Sequence, residues 1–126
     1  MFVMKVIKTM FVVFLLTSSI AFAGEYTYEK DISPCATLES CISSKASEYN
    51  VSEKLITRIV MCESGGNPNA NLHTSREDSW GVAQINLKAH PQITKEQAID
   101  IEFAIDFLAK NLSNGRGSMW TCYKEK

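Results

Sequence analysis

The sequence of 126 residues has little of several features that mark other protein classes. Only six glycines and three prolines are present, which excludes a collagen-like or low-complexity fibre. Neither sign of charge dominates, because 13 basic residues stand against 14 acidic ones, and this balance argues against a nucleic-acid-binding protein. The remaining composition, 45% hydrophobic, 21% charged and 10% aromatic, is typical of one globular domain with a packed core.

The first 23 residues have the pattern of an export signal. Lys5 and Lys8 supply positive charge, Met10–Leu16 is an apolar run, and Ala21–Ala23 is a small-residue cleavage site. A retained membrane anchor is the alternative. However, Thr17–Ser19 interrupts an apolar stretch that is already shorter than the ~20 residues needed to span a bilayer. We therefore predict signal cleavage and no stable membrane insertion of the mature chain.

The predicted organisation has three parts. Residues 1–23 form the signal peptide, residues 24–33 a loose polar arm, and residues 34–126 a single domain. Removal of the signal takes away two lysines, so that 11 basic and 14 acidic residues leave a net charge of −3. The mature protein is expected in the periplasm or outside the cell.

The cysteines are few, and all lie in the predicted mature part. An even number of cysteines in a small exported domain predicts two disulfides, for which three connectivities are open. The chain has no C-x-x-C pair, and neither His73 nor His90 has ligand-like spacing to a cysteine, so no metal site is predicted. The four residues are Cys35, Cys41, Cys62 and Cys122.

Two helices are predicted in the first half of the domain. The first starts with Ser33 as cap and Pro34 as first helical residue. The second starts with Ser52 as cap and ends at Gly65-Gly66. Residues at helical spacing form the buried faces: Leu38, Cys41, Ile42, Ala46 and Tyr49 in the first helix, and Leu55, Ile56, Ile59, Val60 and Cys62 in the second.

The second half is predicted to contain a long loop, a short apolar segment and one helix. Residues 67–79 show no strand or helix signal, and residues 80–87 fit either a strand or a buried helical turn. The capping box of Thr94 and Gln97 begins a helix that Asn114-Gly115 ends. Its apolar positions are Ala98, Ile101, Ile105, Leu108 and Leu112. A short aromatic tail follows.

Glu63 is the candidate catalytic residue. It lies in the last turn of the second helix, where the helix dipole opposes negative charge, and it adjoins an apolar helix face. Both effects are expected to raise the pKa of its carboxyl group, which suits a general acid near neutral pH. The alternative is an ordinary solvated glutamate at a helix end.

Two motifs around Glu63 carry a family resemblance. Residues 63–70 read E-S-G-G-N-P-N-A, and residues 81–85 read G-V-A-Q-I. The chain thereby resembles the lytic transglycosylases with a soluble-lytic-transglycosylase-type, goose-lysozyme-like domain. Their patterns are E-S-x-x-x-P-x-A and G-L-x-Q-I, so Val82 is the one departure within these motifs. The resemblance runs from about residue 41 to about residue 112, and it implies a mainly α, lysozyme-like single domain, here stapled by disulfides.

The resemblance also implies an activity and a site. Glu63 is expected to be the sole catalytic acid and base in cleavage of the MurNAc–GlcNAc bond of peptidoglycan, with no metal or organic cofactor. The expected partner is the glycan strand. The biological task stays open between assembly of a secretion, conjugation or pilus system, phage entry and wall turnover. The substrate contacts that the resemblance implies are Ser64, Gln84 and Asn86. Apart from the resemblance, Trp80 and Trp120 are candidates for stacking on sugar rings, because a tryptophan face is broad and apolar, and Tyr123 is a further candidate contact in the tail.

The third motif of the family, an A-Y-N-x-G segment, is absent. Residues 117–123 stand in its place, and Trp120 or Tyr123 is a candidate to replace that wall of the cleft. The alternative for both is packing in the core or tail, just as Gln84 and Ser64 have backbone bonding as their alternative role. The departure also permits a module that binds peptidoglycan without cleaving it.

A hydrolytic lysozyme is the other alternative. Most glycosidases use a second carboxylate about 5 to 9.5 Å from the acid. Glu77 and Asp78 lie between the two motifs, and Asp78 could activate water, although a solvated loop is the simpler interpretation. Arg76 and Lys88 are candidates for holding the acidic peptide stems of peptidoglycan.

The position of the cysteines favours one of the three disulfide connectivities. Cys62 adjoins Glu63, and Cys122 lies in the tail that replaces the third motif, so we predict a Cys62–Cys122 bond that holds the tail near the site. Cys35 then pairs with Cys41. A bond between Cys41 and Cys122 is the competing pairing, because a six-residue spacing within one continuous helix is unfavourable.

Overall fold

The computed structural model describes residues 33–124. The predicted signal peptide, residues 1–23, and residues 24–32 of the predicted arm lie outside the described residues. The helices are α1 (Leu38–Tyr49), α2 (Glu53–Ser64), α3 (Lys95–Ile99) and α4 (Ile101–Ser113). The strands are β1 (Asn71–His73), β2 (Asp78–Trp80) and β3 (Ile85–Asn86), and two 3₁₀ turns follow at Gly117–Met119 and Thr121–Tyr123. The predicted mainly α single domain is confirmed.

Helix α1 begins four residues after the predicted start. Thr37 is its cap: its side chain accepts the backbone N–H of Ser40 at 3.1 Å, and the Ser40 hydroxyl accepts the backbone N–H of Thr37 at 3.0 Å. This reciprocal pair satisfies two backbone donors at the start of the helix, whereas the Ser33 hydroxyl accepts the backbone N–H of Cys35 at 3.3 Å. Ser33 and Pro34 instead lie in a turn, and the prediction that they begin the helix was wrong.

The boundaries of helix α2 match the prediction. The Ser52 side chain accepts the backbone N–H of Leu55 at 3.2 Å, and Gly65 ends the helix in the left-handed region at φ 63°. The prediction that Cys62 belongs to the buried stripe of this helix was wrong, because Cys62 is exposed. The stripe itself packs into the core through Ile56, Ile59 and Val60.

The sequence predicted one long loop over residues 67–79, and this prediction was wrong. These residues contain β1 and most of β2, which form an antiparallel pair with Leu72 opposite Ser79, and β3 adds a third strand on the other side of β2. The segment 80–87 therefore combines the end of β2, a turn and β3. The Lys88 ammonium group donates to the carbonyls of Thr74 and Ser75 at 2.8 and 3.1 Å and secures the hairpin turn.

The predicted third helix is divided at Asp100. Thr94 and Gln97 form the predicted capping box, but Asp100 is extended, and its carboxylate accepts the backbone N–H of Phe103 at 2.8 Å to start α4. Near the break, the backbone comes very close to Gly81. A Cβ atom at Gly81 would lie 1.9 Å from the Ala98 carbonyl oxygen, so only glycine fits there.

The core lies among α1, α2 and α4, and the segment 82–85 also contributes side chains to it. A polar cluster also joins α1 to α4: Lys45 Nζ is 3.0 Å from Asp106 Oδ1, and the Tyr49 hydroxyl donates to the same carboxylate at 2.9 Å. Hydrogen bonds to Glu48 and Asp106 raise the pKa of Lys45, and the bond to Asp106 raises the pKa of Tyr49. The Asp106 carboxylate is therefore bound by two side chains of α1. The largest fully buried core side chains include Ile56, Ile59, Ile105 and Leu108.

Both predicted disulfides are present, Cys35–Cys41 and Cys62–Cys122. The first joins the turn before α1 to the first turn of that helix, so it does not lie within one continuous helix. The second joins the end of α2 to the C-terminal tail. Among residues 33–124, no helix is long and apolar enough to cross a bilayer.

Candidate active site

Glu63 lies half-buried in the last turn of α2, where the sequence predicted it. Its Oε1 atom accepts the backbone N–H of Cys122 at 3.2 Å. That N–H belongs to the second 3₁₀ turn, which the adjacent Cys62–Cys122 disulfide ties to α2. The tail therefore helps to orient the carboxyl group of Glu63.

The Glu63 side chain lines a cavity of about 210 Å³. The hairpin and the turn before β3 form one wall, and α4 with the C-terminal tail forms the other. Both family-like motifs thus contribute to a single cavity. Its lining consists of Glu63, Leu72, Glu77, Ser79, Gln84, Ile85, Asn86, Ala89, His90, Phe107, Met119, Trp120 and Thr121.

Gln84 lies on the cavity wall in an unusual backbone conformation, with φ at 46°. Its Nε2 atom donates to the carbonyls of Ala70 and Gly81 at 3.1 and 3.0 Å. Both protons of the amide nitrogen are thereby used, and Oε1 is the atom left for a ligand. The same side chain joins the end of the first motif to the start of the second.

Ser64 does not line the cavity. Its hydroxyl is shared between the carbonyls of Val82, at 2.7 Å, and Val60, at 3.0 Å, and it accepts the backbone N–H of Gly66 at 3.2 Å. Ser64 thus fastens the G-V-A-Q-I segment to the end of α2. This is the backbone-bonding alternative to the substrate contact that the resemblance implied.

Asn86 lines the cavity and holds its wall together. Its Oδ1 atom accepts the backbone N–H groups of Asp78 and Lys88, each at 3.1 Å. Its Nδ2 atom lies 3.5 Å from the carbonyl of Arg76. These bonds connect β3 to the hairpin.

The two tryptophans have different surroundings. Trp120 lines the cavity but is only 4% exposed, and its indole N–H donates to the Ala83 carbonyl at 2.7 Å. Trp80 does not line the cavity. Its indole N–H donates to Asp78 at 2.8 Å, and Lys95 Nζ lies 4.0 Å from its ring centroid. The ring is therefore already stacked under a cation.

Tyr123 also lies away from the cavity lining. Its ring packs so closely on Gly117 that a Cβ atom there would lie 2.4 Å from the ring, and its carbonyl accepts the Arg58 guanidinium at 3.3 Å. Of the two candidates for replacing the third motif, Trp120 faces the cavity and Tyr123 packs within the tail.

The two neighbouring acidic residues of the hairpin point to different places. Glu77 lines the cavity, whereas Asp78 does not. Asp78 Oδ1 lies 2.7 Å from His73 Nδ1 and accepts the indole N–H of Trp80, so it supports the hairpin. Any second carboxylate in the cavity is therefore Glu77.

If Glu63 is catalytic, we expect the substitution Asp78→Asn to lower the rate by no more than about threefold, because it weakens only the partly exposed contacts of Asp78 with His73 and Trp80. The rate of murein solubilisation checks this, with Glu102→Gln on the exposed face of α4 as control. A loss above about tenfold beyond the control, with an unchanged melting temperature, would place Asp78 in the chemistry.

Much of the cavity wall has no recognisable signal in the sequence. His90, Phe107 and Met119 all line it, and the His90 and Phe107 rings meet edge to face with centroids 5.1 Å apart. Their positions in the sequence do not distinguish them from other residues of an amphipathic helix, a loop or a tail. The backbone donor at Cys122 has no side-chain signature either; the predicted disulfide and the aromatic residues of the tail pointed to that segment, but not to this N–H group.

None of the residues in 33–124 forms a group of three or more His, Cys, Asp or Glu side chains arranged for a metal ion. The cavity instead combines carboxylates, carboxamides and aromatic rings. Such a lining suits a neutral polar ligand with apolar faces, as a sugar has.

Comparison with known proteins identifies the family. The family model of the transglycosylase SLT domain matches residues 40–125, from the first turns of α1 through the C-terminal tail. The match includes both motifs, the cavity and the segment that replaces the third motif. Neither the curated proteins nor the solved structures contain a match. Since the match spans most of the chain, the protein belongs to the transglycosylase SLT domain family, with a lysozyme-like fold and a general function on peptidoglycan.

Proposed function

We propose that this protein is a peptidoglycan lytic transglycosylase that cleaves the MurNAc–GlcNAc β-1,4 bond and leaves 1,6-anhydroMurNAc ends. The observation that carries the proposal is the carboxyl group of Glu63, which lines the cavity while a backbone N–H holds its Oε1 atom. Family membership supplies the substrate class.

Glu63 begins the reaction as a general acid. Its proton passes to the glycosidic oxygen, the C1–O bond breaks, and the leaving sugar departs with a new hydroxyl group. The acetamido carbonyl of the muramyl residue can stabilise the positive centre at C1, where many glycosidases place a carboxylate. The raised pKa that the sequence predicts for Glu63 stays a prediction and suits this step.

Glu63 then acts as a general base. Its carboxylate takes the proton of the muramyl 6-hydroxyl, whose oxygen attacks C1 and closes the anhydro ring. No water is consumed, and Glu63 ends protonated as it began. The attacking hydroxyl belongs to the same sugar, so its effective concentration is high and a second catalytic base is unnecessary.

A hydrolytic lysozyme is the second candidate, because Glu77 lines the same cavity as Glu63. In that reaction Glu77, rather than Asp78, would activate a water molecule. A module that binds peptidoglycan without cleaving it is the third. Its support is the absence of the third family motif.

Export completes the proposal, since the substrate lies outside the cytoplasmic membrane. The predicted signal peptide and two disulfides fit a protein that functions in an oxidising compartment. Signal cleavage is expected after Ala23, and N-terminal sequencing that finds Gly24 as the first residue of the mature protein checks it.

The mass of the products tests the reaction. We expect muropeptides with anhydro ends when purified murein is digested and analysed by mass spectrometry. Products about 18 Da heavier, by one water, would have reducing MurNAc ends and would establish hydrolysis instead. If the protein sediments with murein but releases nothing soluble, it is a binding module.

A further inference from the structure

A second depression adjoins the cavity at α4. It has a volume of about 270 Å³ and shares three lining residues with the cavity: His90, Phe107 and Met119. This depression runs to the end of α4, where Lys110 and Arg116 line it. Because they share three lining residues, the two depressions are neighbours, and together we call them the groove, with Glu63 lining the first depression and two cations lining the second.

The depression lined by Lys110 and Arg116 has no acidic side chain in its lining. Both of these cations are exposed. Within residues 33–124, neither cation has an ion-pair partner. Asp106 lies one turn before Lys110, but its carboxylate is bound to Lys45 and Tyr49 on α1. The groove thus offers two uncommitted positive charges.

Two other cations near the site already have partners. Lys88 is bonded to the carbonyls of the hairpin turn, and Lys95 lies over the Trp80 ring. Arg76 is exposed but lines neither part of the groove. Lys88 and Arg76 were the sequence-based candidates for binding acidic peptides, and the structure offers Lys110 and Arg116 in their place.

We propose that the Lys110–Arg116 end of the groove binds the carboxylates of the peptidoglycan stem peptide. The proposal rests on the proposed function, which puts a muramyl sugar beside Glu63. Stem peptides are attached to that sugar through its lactyl group and carry free carboxylates, so a bound strand presents negative charge next to the cleavage point. The Arg116 guanidinium can bind a carboxylate with two parallel hydrogen bonds, and Lys110 adds a point charge.

Two carboxamide side chains at this end of the groove can hydrogen-bond to a peptide backbone. Gln92 and Asn114 line the depression beside the cations and can bond to peptide N–H and C=O groups. The shared wall of Phe107 and Met119 is apolar, and Met119 is 41% exposed. Charged, amide and apolar groups of a short acidic peptide would all find partners.

The double variant Lys110→Gln/Arg116→Gln tests the proposal on two substrates. On intact murein we expect kcat/KM to fall about fivefold to tenfold, since two exposed charge contacts are lost. On glycan strands stripped of their peptides by an amidase we expect no change. The charge-matched control is Lys54→Gln/Lys124→Gln, which also removes two positive charges, from exposed positions outside the groove. An equal loss on both substrates, or none on intact murein, would overturn the proposal.

A binding measurement separates this proposal from the proposed function. Calorimetry with the Glu63→Gln variant compares a disaccharide-tetrapeptide with the same disaccharide lacking its peptide. We expect the peptide to strengthen binding about fivefold to tenfold at low salt, and less at high salt, only when Lys110 and Arg116 are present. If the unaltered protein cleaves nothing, the proposed function is wrong, but the calorimetry still shows whether the groove binds the stem peptide. An equal affinity for both ligands would contradict the groove assignment alone.

Discussion

Replacement of Glu63 by glutamine is expected to reduce murein cleavage by at least about a thousandfold. The amide can neither protonate the glycosidic oxygen nor accept the proton of the 6-hydroxyl. Its carbonyl oxygen can still accept the Cys122 N–H that Glu63 Oε1 accepts, so the fold should survive. Turbidity loss of a murein suspension measures the rate, and circular dichroism checks the fold.

Glu77→Gln is the matched control for this experiment, because Glu77 also lines the cavity. A transglycosylase should keep at least about a third of its rate in this variant, whereas a hydrolase that uses Glu77 as base should lose about a hundredfold or more. If Glu63→Gln retains a tenth of the rate while it is folded, Glu63 is not the acid.

The second large effect is expected from the Cys62–Cys122 disulfide. The variant Cys62→Ser/Cys122→Ser should lose about 4 kcal/mol of unfolding free energy, because this bond closes a loop with a sequence separation of 60 residues. Its activity should fall about tenfold or more at a temperature where it is still folded. The released tail would no longer hold the N–H of Cys122 against Glu63, and one such positioned donor can be worth this much.

Cys35→Ser/Cys41→Ser is the control for this variant. It also removes one disulfide, but from the start of α1, away from the cavity lining, and the separation is only six residues. We expect a loss of about 2 kcal/mol and an unchanged rate. Urea unfolding gives both free energies, and murein assays below each melting point give both rates. Equal rates for the two variants would show that the tail does not position Glu63.

The sequence predicts helix ends well where one side chain satisfies a terminal backbone group. Ser52, Thr94 and Gly65 all lie where their capping chemistry places them. It fails where two capping signals compete, as at Ser33 and Thr37. It fails again at Asp100, because the apolar spacing of the predicted third helix continues across a break that is created by one side-chain cap.

The hairpin could not be predicted, because its strands have three residues each and no apolar alternation. Their pairing depends on distant groups, such as Lys88 on the turn and Asn86 beside β2. The site shows the same division. Glu63 and Gln84 stand out in the sequence and line the cavity, but Ser64 and Trp80 stand out equally and are bonded elsewhere. Motifs identify residue types, whereas tertiary contacts decide which of them face a ligand.

The Cys62–Cys122 bond also changes what a protease can do to this domain. It closes the hairpin, β3, α3 and α4 into one covalent ring. A single cut after Arg76, in the exposed hairpin turn, would leave Glu63 on one fragment and Gln84 and Trp120 on the other. The fragments would remain one molecule until a reductant opened the bond, so a nicked protein would migrate as intact on a non-reducing gel and could keep both sides of its cavity together.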